Sequence, residues 1–130
     1  MIYSPDAWVV VKLSGDAVPD GVLYKILAGW KGGYTQGDSW KLNSGITKIE
    51  ETEHVFNVYG YSGSIYSCYK ESERMMMITQ GIFDNLVEAY KNKKVKIENE
   101  NIYYQKGYSI LHLNDGILQL KNSKTLIYIN

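Results

Sequence analysis

The fold of this chain is decided by residues 37–73, which read GDSWKLNSGITKIEETEHVFNVYGYSGSIYSCYKESE. At its start Trp40 and Leu42 alternate with polar residues, the period of two that is typical of a strand with one buried face. Gly45 interrupts this alternation, and a glycine inside a strand pattern indicates a bulge or a bend. The charged residues 51–54 then predict a turn.

A second strand is predicted over Val55–Tyr61, which is rich in β-branched and aromatic residues. Phe56 and Val58 lie on the face that we expect to join the core. Ser62-Gly63 supplies the residues of a tight hairpin turn, after which the chain returns as a third strand. The pattern predicts a continuous antiparallel meander over residues 38–70.

Two further strands are predicted upstream of this meander. Ala7–Leu13 is the most apolar segment of the chain, and we expect it to be a central strand that is buried on both faces. Val22–Trp30 alternates with a period of two, and the glycines at and after its end argue against a long helix.

One helix is predicted at about residues 79–92. Its apolar residues recur with a period of 3.6, which predicts a helix with one buried stripe, and Thr79 is the expected N-cap. The stripe consists of Ile82, Phe83, Leu86, Val87 and Tyr90.

The rest of the chain, residues 95–129, predicts a series of short strands, with a hairpin turn at Asn114-Asp115-Gly116. The predicted fold class is α+β, dominated by an antiparallel meander or a curled sheet or barrel, with one packed helix. A single curled sheet and two layers that share the helix both satisfy the pattern.

Composition limits the class of protein. A length of 130 residues suits one domain over residues 1–130, and the formal net charge of zero gives no overall field that would attract duplex nucleic acid or an anionic membrane. Cys68 is the only cysteine, which excludes an internal disulfide and suits a reducing cytoplasm. The sequence shows no signal peptide and no membrane span.

Candidates for chemistry are few. His54, His112 and Cys68 have no metal-motif spacing, and a charged turn explains the glutamates at 50, 51 and 53 better than a magnesium site does. No sequence feature near Cys68 promises a lowered thiol pKa. We therefore predict no catalytic residue, no metal site and no cofactor.

A polar and aromatic surface is the stronger signal, because adjacent strands would bring stacking rings, lysines and hydrogen-bonding groups together. An ordinary solvated sheet face would show the same composition. The residues predicted to form a binding surface are Trp40, Lys41, Asn43, Ser44, Tyr59, Tyr61, Ser62, Ser64, Tyr66 and Lys70. Among them Trp40, Tyr59 and Tyr61 are the expected anchors.

The segments DSWKLNSGI and YGYSGSIYSCYKES resemble sequences of small accessory proteins of tailed bacteriophages. The resemblance covers about residues 5–72 and includes no catalytic motif. It implies a setting in the host bacterial cytoplasm, where many such proteins counteract host immunity by binding an effector protein or sequestering a nucleotide signal.

Three functional hypotheses follow. The first is a non-enzymatic inhibitor that binds and neutralises a host or defence protein through its aromatic face. The second is a sponge that sequesters a nucleotide second messenger, as a homo-oligomer whose interfaces complete the binding sites. The third is a small enzyme without a recognisable motif.

Overall fold

The computed structural model describes residues 1–100 in full and, within residues 101–130, the course of four strands. The fold is α+β, as predicted, with sheets that are mainly antiparallel and one principal helix. The strands are β1 Ile2–Tyr3, β2 Ala7–Ser14, β3 Val22–Trp30, β4 Ser39–Leu42, β5 Ile46–Glu51, β6 Val55–Gly60, β7 Ile65–Tyr69, β8 Lys96–Glu100, β9 Ile102–Gln105, β10 Tyr108–Leu113, β11 Gly116–Lys121 and β12 Leu126–Tyr128. The helices are α1 Gly33–Gln36 and α2 Met77–Lys91.

These strands form three sheets. The five-stranded sheet has the order β1-β7-β6-β5-β12, the four-stranded sheet β4-β3-β2-β8, and the three-stranded sheet β11-β10-β9. Described neighbours are antiparallel except β1 and β7, where Tyr3 pairs with Tyr66 in parallel register. β1 and β4 are therefore edge strands of two different sheets.

The prediction of one continuous meander over residues 38–70 is wrong at its start. β5, β6 and β7 do form an antiparallel meander, but β4 pairs with β3 in the other sheet. The chain crosses between the sheets at Asn43–Gly45, where Gly45 has a φ of 135°. Alternation in the sequence specifies that a segment is a strand, but it does not specify the partner strand.

Two apolar clusters lie on opposite faces of the four-stranded sheet. The first packs this sheet against the five-stranded sheet and includes Trp8, Ile26, Phe56 and Val58. The second lies between the four-stranded sheet and α2. β2 is thus buried on both faces, as its apolar sequence predicts.

Helix α2 begins at Met77, two residues before the predicted start. Thr79 is not the N-cap residue but lies in the first turn, where its Oγ1 accepts a hydrogen bond from the Met76 N–H at 2.8 Å and donates one to the Met76 carbonyl at 3.1 Å. The predicted apolar stripe packs against the second cluster with partly buried side chains.

Residues 95–129, predicted as a series of short strands, contain β8–β12. β10 and β11 pair in antiparallel register on either side of the predicted hairpin turn, whose first two residues and the His112 side chain lie outside the described residues. Across the described part of the chain, the helices are too short or too polar to cross a bilayer.

Candidate functional site

The edge strands β1 and β4 approach each other at one end of the two packed sheets. Tyr3 on β1 and Lys41 on β4 meet there, with the Lys41 Nζ atom 5.2 Å from the centre of the Tyr3 ring. Trp30 Nε1 donates a hydrogen bond to the Ser4 carbonyl at 3.0 Å, which ties the end of β3 to the segment after β1. These contacts hold an open groove between the two sheets.

The groove has two connected parts. The larger part, which we call the Tyr66 cleft, has a volume of about 570 Å³. It is lined by Tyr3, Lys25, Trp40, Lys41, Leu42, Asn43, Ser44, Ser62, Ser64 and Tyr66. The smaller part, the Trp30 cleft, has a volume of about 460 Å³ and is lined by Ile2, Tyr3, Ser4, Trp30, Ser39, Trp40 and Lys41. Because Tyr3, Trp40 and Lys41 line both, the two parts form one groove.

Most of the predicted binding residues come together in the Tyr66 cleft. Seven of the ten line it: Trp40, Lys41, Asn43, Ser44, Ser62, Ser64 and Tyr66. They converge because the crossover after β4 and the β6–β7 turn lie side by side, where the Ser62 N–H donates to Ser44 Oγ at 2.9 Å.

Three predicted residues lie elsewhere. Tyr59 is half-buried beneath Lys48, whose Nζ atom is 4.3 Å from the ring centre. The Tyr61 side chain is 60% exposed and lies next to Gly45. The Lys70 Nζ atom forms an ion pair with Glu51 Oε2 at 2.8 Å. Of the three expected anchors, only Trp40 lines the cleft.

Sequence reasoning missed Tyr3, Lys25 and Leu42. Tyr3 reaches the cleft through the two-residue parallel pairing of β1 with β7, and so short a strand leaves no periodic signal. Lys25 lies in the well-patterned β3, but its pattern does not show that this end of the strand borders a cleft. Both residues are distant in sequence from the stretch that predicts the site.

Aromatic rings form one wall of the groove. The Tyr3 ring centre is 5.1 Å from that of Tyr66 and 6.2 Å from that of Trp30. Trp40 is 41% exposed and offers a free ring surface, while Tyr66 is buried. Burial, followed by the neighbouring Tyr3 and Cys68, raises the pKa of Tyr66, so its hydroxyl stays protonated at neutral pH.

Two polar side chains of the cleft lack compensating partners. Lys25 is half-buried, burial lowers its pKa, and no hydrogen bond or ion pair joins it to another described residue. Asn43 is 4% exposed; its Oδ1 accepts a hydrogen bond from the Ile26 N–H at 2.8 Å, but its Nδ2 has no partner in the described structure. Both Lys25 and Asn43 Nδ2 are hydrogen-bond donors.

The charge of the groove is positive. Lys25 and Lys41 line it, and none of the 14 acidic residues of the chain belongs to either lining in the described part of the chain. The net charge of the whole chain is zero, but the described lining of the groove contains two lysines and no carboxylate. Such a site favours an anionic ligand.

Two other depressions are less suited to a ligand. The first, about 520 Å³, mixes Glu53, His54 and Glu71 with Lys70, and its charges offset one another. The second, about 600 Å³, has exposed lysines around Val87, Val95 and Ile97 but no aromatic ring. Among the described residues, neither lining contains a buried polar side-chain atom without a hydrogen-bond partner.

The surroundings of Cys68 and of the acidic residues near position 51 indicate roles in the fold and not in chemistry. Cys68 is buried, and burial raises the pKa of its thiol well above the ordinary value, which leaves it unreactive. Glu51 is buried against Lys70 rather than exposed on a turn. No three His, Cys, Asp or Glu side chains of the described residues converge as metal ligands would.

No protein-family model matches this chain, and no curated protein or solved structure matches it either. Function is therefore inferred from the groove itself.

Proposed function

We propose that this protein is a non-enzymatic binding protein whose groove holds a small, planar, negatively charged molecule of the nucleotide type. The observation that carries the proposal is the convergence of aromatic rings and two lysines in a groove without a carboxylate. Aromatic rings stack on bases, and lysines attract phosphates.

The size and lining of the groove support this proposal. Binding sites for small molecules usually have volumes of about 300–1,000 Å³, and the Tyr66 cleft at about 570 Å³ lies within that range. Its described lining has serines but no histidine, carboxylate or thiol that would act as a general base or nucleophile. The residues suit binding better than catalysis.

In the bacteriophage setting that the sequence resemblance implies, such binding would sequester a nucleotide signal of host immunity. Open sites of this kind gain affinity when a second copy of the chain covers the ligand, so a homo-oligomer is part of this proposal. The place of action would be the host cytoplasm.

Inhibition of a host or defence protein is the second candidate. Trp40 and Tyr61 are 41% and 60% exposed, and large exposed aromatic side chains commonly anchor protein interfaces. The two candidates share Trp40 but differ in Tyr61, which lies outside both cleft linings.

Variants of these two residues separate the candidates. Wild-type protein is titrated calorimetrically with nucleoside monophosphates and cyclic nucleotides, followed by Trp40→Ala and Tyr61→Ala. Loss of one stacking ring costs about 1–3 kcal/mol, so we expect Trp40→Ala to weaken the best nucleotide at least about fivefold and Tyr61→Ala to leave it unchanged. Circular dichroism controls for folding.

The opposite pattern would support the inhibitor. If wild-type protein binds no nucleotide, but captures a host protein that Tyr61→Ala no longer captures, the nucleotide proposal is wrong. Native mass spectrometry of protein from infected cells would show the bound species and the number of copies directly.

A further inference from the structure

A second groove, with lysines and apolar side chains in its lining, lies where β2 ends. It has a volume of about 600 Å³ and is formed by the end of α2, the turn into β8 and the turn after β2. We call it the basic groove, and its described lining is Ser14, Gly15, Val87, Lys91, Lys94, Val95, Lys96 and Ile97. A Cβ atom at Gly15 would stand 2.5 Å from the Lys94 carbonyl oxygen, so the two turns approach as closely as only a glycine permits.

The positive charge of the basic groove is only partly compensated. Lys91, Lys94 and Lys96 are exposed, and the described lining contains no carboxylate. Lys96 Nζ lies 3.6 Å from Glu98 Oε1, but no ion pair joins Lys91 or Lys94 to another described residue. Because the same lining includes three apolar side chains, the groove fits an acidic surface that also presents an apolar or aromatic side chain.

A surface with this complementary pattern lies near the start of β2. It is a depression of about 520 Å³, which we call the acidic surface, with the described lining Glu53, His54, Tyr69, Lys70 and Glu71. Glu53 and Glu71 are exposed, and the Tyr69 side chain is 45% exposed. Lys70 offsets one charge of this lining, but its ammonium is withdrawn from the surface and paired with Glu51. The exposed groups are therefore two carboxylates and one ring.

The two surfaces lie at opposite ends of β2 and cannot meet within one chain. Trp8, near the start of the strand, donates from Nε1 to the Tyr69 carbonyl at 2.7 Å, whereas Ser14, at its end, lines the basic groove. Ser14 follows Trp8 by six residues, which at about 3.3 Å per residue separates them by about 20 Å. The acidic surface of one copy can contact only the basic groove of another copy.

We propose that copies of this chain associate through these two surfaces, with Tyr69 of one protomer in the basic groove of its partner and Glu53 and Glu71 beside the lysines. The contact joins unlike surfaces of the two copies. A second copy supplies both carboxylates for the lysines and a ring for the apolar side chains, whereas duplex nucleic acid would supply only charge.

This association goes beyond the proposed function. Neither the basic groove nor the acidic surface shares a described lining residue with the Tyr66 cleft or the Trp30 cleft. The contact can therefore be tested without nucleotide, and its failure would leave the nucleotide proposal standing.

Sedimentation equilibrium of the wild-type protein over a range of concentrations tests the contact. At low salt we expect the average mass to rise about twofold or more above that of a single chain. It should return to that of a single chain at about 1 M salt, where the Debye length is about 3 Å. Lys91→Glu/Lys94→Glu and Glu53→Lys/Glu71→Lys each place like charges opposite one another, so each paired variant should stay monomeric at low salt.

A variant with all four substitutions is the decisive comparison, because it exchanges the charges of the two surfaces and restores a net charge of zero. It should associate as the wild-type protein does. Lys31→Glu is the control, since Lys31 is also exposed but lies outside both described linings, and it should leave association unchanged. Circular dichroism checks that each variant is folded.

Three results would overturn the inference. The first is wild-type protein that remains a single chain at every concentration in low salt. The second is an oligomer that persists in both paired variants. The third is a variant with all four substitutions that stays monomeric although it is folded.

Discussion

Lys70 and Lys25 are two lysines of the packed sheets whose side chains have different surroundings. The Lys70 side chain is 12% exposed, pairs with Glu51 at 2.8 Å and lies with its Nζ atom 5.2 Å from the centre of the Phe56 ring. Lys25 is also withdrawn from water, but no described residue pairs with it, and burial lowers its pKa.

The difference separates a lysine whose charge is compensated within the fold from one whose charge no described residue compensates. A charge that is buried with its counter-ion completes the fold, and removal of either partner leaves the other uncompensated. A charge that is desolvated without a counter-ion costs stability, and such costs are tolerated where a ligand later supplies the partner. Asn43 Nδ2, from the same cleft lining, is likewise buried without a hydrogen-bond partner among the described residues.

The largest expected effect is on the partnered pair. Lys70→Met removes the cation beside Glu51, whose side chain is 1% exposed, so a buried carboxylate loses its counter-ion. We expect the free energy of unfolding to fall by about 3–5 kcal/mol. Urea denaturation followed by circular dichroism measures it.

A double variant provides the control for this prediction. Lys70→Met with Glu51→Leu replaces both charges by apolar side chains of similar volume, and should recover most of the lost stability. A single Lys70→Met variant as stable as wild-type protein would show that the ion pair has no structural role, and the comparison with Lys25 would fail.

A smaller effect of opposite sign is expected at the unpartnered lysine. Lys25→Met relieves the cost of burying an ammonium group without an anion. Because Lys25 is only half-buried and water screens part of that cost, we expect a gain of about 0.5 kcal/mol in the free energy of unfolding.

Lys48→Met is the reference variant, since Lys48 is also half-buried but its ammonium lies over the Tyr59 ring and gains a favourable contact there. It should be neutral or slightly destabilising. A marked loss of stability in Lys25→Met would mean that Lys25 has a structural partner after all, and would remove the contrast with Lys70.

The smallest expected effect is a dependence on pH. Between the lowered pKa of Lys25 in the folded protein and its ordinary value of 10.5, the unfolded chain binds more protons than the folded chain, so the free energy of unfolding rises with pH. The advantage of Lys25→Met should be complete below this window and should vanish above it. Denaturation of both proteins from about pH 7 to about pH 11 measures this. An advantage that does not change with pH would exclude titration of Lys25 as its cause.

Local sequence predicted seven of the ten residues that line the Tyr66 cleft and none of the four that line the Trp30 cleft alone. The seven lie at strand ends and turns that their own pattern identifies: Trp40, Lys41, Asn43, Ser44, Ser62, Ser64 and Tyr66. Tyr59, Tyr61 and Lys70 share that local signal, but they lie outside both cleft linings. Position along a strand does not show which neighbouring strand lies opposite.

The sequence by itself determined the strands other than β1, the principal helix and the double burial of β2, because each depends on a period of apolar residues within one segment. Only the tertiary structure decided that β4 pairs with β3 and does not belong to the meander. It also decided that Tyr3 and Lys25 line the Tyr66 cleft and that Lys70 pairs with Glu51. Partner choice depends on the pairing of distant segments and on which charges meet after packing. The periodicity of a single segment specifies neither its partner strand nor the charges that it will meet.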